Sequence, residues 1–255
     1  MSHFPAAEAQ AAEGRASGPG HRNVLVTGGS GASGIAVARA LRAAGHRVFT
    51  VGSDQARIDA AAQEAGDGVT PLVCDLARID AVRQLRERVT AAAGTVDAVI
   101  HLVGGWRGAK GIPDQTDVDW DFLETGAITT LRNVSRVFFE DIASSPRGRF
   151  AMVSSTALEQ PTAAVASYVA AKAAAEAWTM AMADGFRRAT ADGGGQGAAV
   201  VLVVKALVDD GLRRSHPDRS FPGATDVEEL ARAVVGLFET TAAELNGSRL
   251  RLAGT

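Results

Sequence analysis

The sequence predicts an α/β chain: a single domain with a doubly wound, parallel, seven-stranded sheet and helices on both faces. Three observations carry this. Short, continuously apolar runs such as residues 24–26 and 198–204 alternate with longer, alanine-rich segments of helical period. Strands buried on both faces read this way, and strand–helix alternation makes the sheet parallel. The first run opens into a glycine-rich turn, Gly28 to Gly34, with a helical pattern directly behind it. The chain has 255 residues, 46% of them hydrophobic, which is enough for one large core, and no linker or repeat divides it.

In order, a strand at 24–26 enters the glycine turn and a helix at 32–44 is stopped by Gly45. Strand 47–51 is followed by a helix at 54–65, capped by Asp54 and stopped by Gly66. Strand 69–74, helix 79–93 and strand 98–103 complete the first half, and a polar, glycine-rich loop at 104–116 leads into a long helix at 118–144. Strand 149–154, helix 165–190, strand 198–204, helix 226–240 and strand 249–252 make the second half. Right-handed crossovers then place helices on both faces. The polar segment 209–223, with Pro217 and Pro222, reads as a mobile substrate lid. Residues 1–20, rich in Ala, Gly, Glu and Ser, read as a flexible tail ahead of a catalytic domain at 21–255. They lack the basic start and apolar stretch of a secretory signal.

Composition excludes several classes. Lys and Arg number 26 against 29 Asp and Glu, so there is no electrostatic footprint for nucleic acid or an anionic membrane. The apolar runs are strand length, too short to span a bilayer. The one cysteine, Cys74, allows no intramolecular disulfide and fits a reducing cytoplasm. The His residues form no metal-binding pair, so no metal is expected.

The turn Thr27-Gly28-Gly29-Ser30-Gly31-Ala32-Ser33-Gly34 lies between a strand and a helix. Glycines let the backbone approach a pyrophosphate, and the helix N-terminus supplies free N–H groups and partial positive charge. The reading is dinucleotide binding, with a plain structural turn as the alternative. The second strand ends Val51-Gly52-Ser53-Asp54, with no carboxylate at Gly52 to hold a ribose 2′-hydroxyl. A 2′-phosphate meets no repulsion there, and Ser30, Ser53 and Arg57 are placed to contact it. NADP is the expected cofactor and NAD the alternative. Asp75, just after the third strand, either accepts a hydrogen bond from the adenine amino group or caps a helix.

Ser167-Tyr168-Val169-Ala170-Ala171-Lys172 opens a helix, and the four-residue spacing puts the only tyrosine and Lys172 on one face. A phenol near pKa 10 is a poor acid or base at neutral pH, and a nearby ammonium favours its phenolate. Ser155, at the end of the fifth strand, stands thirteen residues before Tyr168, a loop long enough to bring its hydroxyl beside the phenol.

With these motifs in this order, the chain from about Asn23 to Leu252 resembles the short-chain dehydrogenase/reductase family. The resemblance implies a Rossmann fold and a Ser155–Tyr168–Lys172 triad. In that triad Tyr168 is the acid/base for hydride transfer between a nicotinamide cofactor and an alcohol or carbonyl, and Ser155 binds the substrate oxygen. It also implies cofactor contacts from Gly28, Ser30, Gly31, Ser33, Gly34, Ile35, Ser53, Asp75, Leu76, Val103, Gly104, Tyr168, Lys172 and Val208. A homo-oligomer, a tetramer or a dimer, is expected through the alanine-dense helix after Tyr168 and the helix before it.

The chain departs from the family at several points. The middle glycine of the phosphate turn is Ala32, and the usual Asn-Asn-Ala-Gly reads His101-Leu102-Val103-Gly104. Ala127 stands where the family has its proton-relay asparagine, and the Pro-Gly after the sixth strand reads Lys205-Ala206. Asn133 lies about 240° around the helix from that position, on the wrong face. His101, flanked by apolar residues, reads as a satisfied core residue. At the substrate end, Trp106 either stacks on a ring or packs in a surface loop, and Arg107 is placed to pair with a carboxylate or phenolate. The leading reading is an NADPH-dependent ketoreductase. A non-redox enzyme on the same scaffold, favoured by Ala127, and a nucleotide-sensing protein are the alternatives.

Overall fold

The computed structural model describes residues 20–254. The tail reading at 1–20 lies, but for Gly20, outside them. Within the described residues the first half alternates as expected: β1 (Asn23–Thr27), α1 (Ala32–Ala43), β2 (Arg47–Gly52), α2 (Gln55–Ala65), β3 (Val69–Val73), α3 (Ile79–Ala93) and β4 (Ala98–His101). Then come α4 (Asp117–Glu124), α5 (Thr130–Ser144), β5 (Arg149–Ser155), α6 (Ala166–Ala191) and β6 (Ala198–Val204). The chain ends with β7 (Leu207–Val208), α7 (Asp210–Ser215), β8 (Thr225–Asp226), α8 (Val227–Gly236), α9 (Ala242–Leu245) and β9 (Ser248–Arg251).

Seven strands form one parallel sheet in the order β3-β2-β1-β4-β5-β6-β9. Pro71 sits in β3, an edge strand, where a missing N–H costs no ladder bond. The pleat sends alternate residues to opposite cores. Val24, Val26, Ala98, Ile100, Val200 and Leu202 face α1 and α8, while Leu25, Val99, Ala199 and Val201 face α3, α5 and α6. Leu41 of α1 and Leu230 and Val234 of α8, all fully buried, close the first face. Each contributes roughly 2 kcal/mol of burial. Strand order reverses at β1, which has β2 on one side and β4 on the other. Their C-terminal ends diverge into the crevice where such sheets bind ligands.

Three local features depart from the sequence expectation. The long helix expected at 118–144 is interrupted by a π-turn at Thr125–Thr129. Thr130 Oγ1 donates to the Gly126 carbonyl across 2.7 Å, replacing a regular backbone partner. An extra residue in one turn shifts the helical phase beyond it by about 100°, so α4 and α5 present their apolar faces out of the register of one continuous helix. The segment 209–223 is not wholly irregular: it contains α7, and its ends are tied by a small parallel ladder between β7 and β8. The helix expected at 226–240 ends at Gly236, and α9 follows with a capping box between Thr241 and Glu244.

Candidate functional site

The glycine turn is sterically specified. Gly28 has φ 76°, and a Cβ there would fall 2.8 Å from the Leu102 carbonyl carbon. A Cβ on Gly34 would lie 2.5 Å from the Gly28 oxygen. Gly31 is different: its nearest neighbour to such an atom is 3.8 Å away, so its smallness leaves open space above the turn.

That space belongs to a cavity of about 860 Å³ at the C-terminal ends of β1 to β4. Gly28, Ser30, Gly31, Ser53, Asp75, Leu76, Val103 and Gly104 all line it, as does Arg57. Ser30 Oγ is buried with no hydrogen-bond partner, and a Cβ on Gly52 would come within 2.5 Å of it. A carboxylate at that position would therefore displace Ser30. Asp54 caps α2 by accepting from Arg57 N at 2.8 Å, as its sequence context suggests. The Arg57 side chain makes no ion pair within 4 Å among the described residues. Asp75 is exposed and does not cap α3, whose N-cap is Arg78; its Oδ1 accepts from Ala77 N at 3.0 Å. Asn133, excluded as a relay by its helix face, instead donates to the Leu76 and Ala77 carbonyls at 3.0 and 2.9 Å and fixes the Asp75 loop. Gly34, Ile35 and Val208 line neither cavity: Ile35 packs in the core and Val208 is buried.

A second cavity of about 400 Å³ adjoins the first along Leu102, Val103 and Gly104. Ser33, Trp106, Ser154, Tyr168, Lys172 and Lys205 line it. The structure thus brings the phosphate turn, the tyrosine helix and the end of β6 to one cleft. Ser155, buried and not among the residues that line this cavity, accepts from Ala157 N at 3.1 Å, and its hydroxyl acts on the Tyr168 phenol in the direction that favours phenolate. Burial acts more strongly in the other direction and raises the Tyr168 pKa above the usual phenol value. The Lys172 ammonium donates to the Val153 carbonyl at 2.8 Å. Burial pushes Lys172 down to about 8, with Glu176, one turn on, opposing. A Cβ on Gly104 would stand 3.3 Å from that ammonium, so glycine keeps room around it.

His101 lies at the floor of the site, 2% exposed. Thr130 spends its proton on Gly126 O, so His101 Nε2–H donates to Thr130 Oγ1 at 3.2 Å. Its Nδ1 then accepts from Thr27 Oγ1 at 2.8 Å. The ring is neutral and satisfied; burial first, and Lys172 second, lower its pKa to about 3. Ala127 sits in the π-turn, buried against Leu123 and Ala171 beside Tyr168. Thr130 and Asn133 have no motif that marks them; only the fold shows what they hold.

Arg107 is not available as expected. It pairs with Asp119 at 3.4 Å, and its guanidinium sits 3.8 Å from the Phe122 ring centroid, outside the smaller cavity. Trp106 lines that cavity and is 63% exposed. Its loop is pinned to the start of α6: Ala109 N donates to Ala164 O at 2.8 Å and Gln115 Nε2 to Ala163 O at 3.0 Å.

A family model described as short chain dehydrogenase matches residues 22–190. Nodulation protein G of Rhizobium meliloti (strain 1021) is 31% identical over 152 residues, 60% of this chain and 62% of its own length. An acetoacetyl-CoA reductase from Shinella zoogloeoides is 27% identical over 248 residues, 91% of this chain and 97% of its own. Among solved structures, the NADPH-bound short chain oxidoreductase of Pseudomonas aeruginosa PAO1, described as containing an atypical catalytic center, superposes with a TM-score of 0.79 at 21% identity. That match covers 91% of this chain and 95% of the other, and it speaks to the fold.

Proposed function

The chain belongs to the short-chain dehydrogenase family and is an NAD(P)-dependent oxidoreductase, and from that premise we propose that it reduces a ketone with NADPH, Tyr168 supplying the proton. The observation that carries this reading is the cavity that Tyr168 and Lys172 line together, which adjoins a dinucleotide-sized cleft along Leu102, Val103 and Gly104, with the Ser155 hydroxyl acting on the phenol.

The residues fit a dinucleotide. Ser30 Oγ and Ser154 Oγ, both buried and unpartnered, lie one in each cavity, and the Gly28–Gly34 turn leaves its cradle open at Gly31. Ser30, Ser53 and Arg57 favour a 2′-phosphate, and no carboxylate opposes it at Gly52. The cofactor supplies the hydride. Ser155 holds the substrate oxygen, and Tyr168, kept protonated by burial, gives its proton to that oxygen, which suits reduction. Lys172, anchored on Val153 O, is placed to hold the nicotinamide ribose and to return a proton toward Tyr168.

No helix of the described residues is long and apolar enough to cross a membrane, and the buried Cys74 thiol, pushed up to about 11, is inert; we place the protein in the cytoplasm. Exposed Ala170, Ala173, Ala174, Ala177 and Ala181 form one stripe on α6, which supports a homo-oligomer packed through that helix. Light scattering at micromolar concentration tests it, and a monomer rejects it.

The deciding experiment measures NADPH against NADH binding by cofactor fluorescence, then follows loss of reduced-cofactor absorbance over a ketone panel. NADPH binding with turnover of a ketone is expected. Tight binding with no turnover on any carbonyl would instead favour a nucleotide-sensing protein.

A further inference from the structure

We propose that Lys205 anchors a carboxylate carried by the substrate, so that the ketone reduced here is part of a free keto acid; this rests on the ketone-reduction reading above. Lys205 follows β6 directly and lines the 400 Å³ cavity together with Tyr168 and Lys172. Among the described residues the only charged side chains on that lining are these two lysines, with no Asp or Glu. Two cations with no carboxylate on the lining, Glu176 acting on Lys172 from beyond it, give the cavity a positive potential. A neutral ketone gains nothing from that potential, whereas an anionic one does.

The two ammonium groups are not equivalent. Lys172 is buried and bonded to Val153 O. Lys205 is exposed, and its one hydrogen bond goes to the Pro222 carbonyl at 2.8 Å. An ammonium has three donors, so two remain for a ligand. The stem of Lys205 runs past Gly223, where an added Cβ would lie 3.4 Å from its Cδ. The bond to the Pro222 carbonyl ties the ammonium on the β6 side of the cavity. Arg107, the cation the sequence offered for this task, is occupied by Asp119 and Phe122. Val153, Val204, Leu207 and Trp106 complete the lining with apolar surface suited to the carbon chain between carbonyl and carboxylate.

The test uses the full chain with NADPH. A series of α-, β-, γ- and δ-keto acids is compared with the corresponding methyl esters in the wild type, Lys205→Met and Lys205→Arg. For at least one chain length the acid should exceed its ester in kcat/KM by about tenfold, which corresponds to roughly 1.4 kcal/mol. That ratio should collapse toward one in Lys205→Met and survive in Lys205→Arg. A wild type with no acid preference overturns the proposal. So does a Lys205→Met variant that loses acid and ester equally, because Lys205 would then only pin the turn at Pro222. A parallel measurement separates this inference from its premise: saturated carboxylates of two to five carbons are titrated against bound NADPH fluorescence. Lys205-dependent carboxylate binding without turnover of any ketone would sink the reduction reading and keep the anchor. Ketone turnover without acid preference or carboxylate binding would do the reverse.

Discussion

The two ends of the cleft are built on different principles. At the phosphate end the backbone decides. Gly28 and Gly34 stand where a Cβ would overlap main-chain atoms, and the open space above Gly31 follows from that turn. At the end proposed for catalysis side chains decide, and they arrive from far apart: Tyr168 and Lys172 from α6 and Lys205 from the end of β6 line one cavity, with Ser155 of β5 acting on the phenol and His101 buried near Lys172. A steric demand constrains residue type at each position of one short segment. A convergence of side chains leaves each position free to change provided another group takes over its contact. Accordingly the phosphate turn departs from the family pattern at Ala32 alone, while the catalytic end has lost an asparagine, altered the His101 segment and acquired Lys205.

The largest expected effect separates the two ends. Tyr168→Phe should lower kcat by roughly 10² to 10⁴, the range of a general acid, while NADPH affinity stays within about threefold. Stopped-flow turnover and fluorescence titration read the two quantities on one preparation. If affinity fell as far as turnover, the division between the ends would be wrong.

An intermediate effect concerns the floor that both ends share. His101 contacts Thr27 on the β1 side and Thr130 next to the π-turn. Burial lowers its pKa from 6.5 to about 3, so between those values the unfolded chain binds a proton that the folded chain does not. Stability must then fall as pH drops through that window and be fully present above it. His101→Leu should lose stability at pH 7, by about 1 to 3 kcal/mol, because two hydroxyls lose their partner. It should then lose less than the wild type on going from pH 7 to pH 5. Urea midpoints at the two values decide it, and parallel losses in both proteins would remove His101 as the source of the slope. His46, also lowered by burial, is common to both proteins and cancels in the comparison.

How much of this was legible in the sequence follows the same division. The strand–helix alternation, the glycine turn and the Ser155, Tyr168 and Lys172 spacing are local patterns; the sheet order agrees with the first, and Tyr168 and Lys172 line one cavity while Ser155 is not on its lining. Arg107 misled because its fate depends on Asp119 and Phe122, more than ten residues away across a loop. Asn133 was excluded from one role by helix geometry, yet its actual one, clamping Leu76 and Ala77, needs a contact some 57 residues apart. The π-turn escaped because it is a change of backbone hydrogen bonding over a single turn, and no residue in Thr125–Thr129 marks it. Lys172 shows the limit of spacing itself: four residues put it on the face of Tyr168, but its ammonium turns to Val153 O.

The smallest expected effect tests the phosphate end on its own terms. Arg57 lines the larger cavity, exposed and without an ion pair among the described residues, with its backbone held by the Asp54 cap. A charge-assisted bond to a 2′-phosphate is worth about 1.5 kcal/mol at an open site of this kind, so Arg57→Ala should weaken NADPH binding by about tenfold. NADH, which lacks that phosphate, should bind nearly as before. Equal weakening of both cofactors would mean that Arg57 supports the α2 terminus rather than reading the phosphate, and would return the choice between NADP and NAD to Ser30 and Ser53. The expected split arises because the steric cradle at Gly28 and Gly34 holds the part common to both cofactors, leaving discrimination to an exposed side chain that can be removed without disturbing the turn.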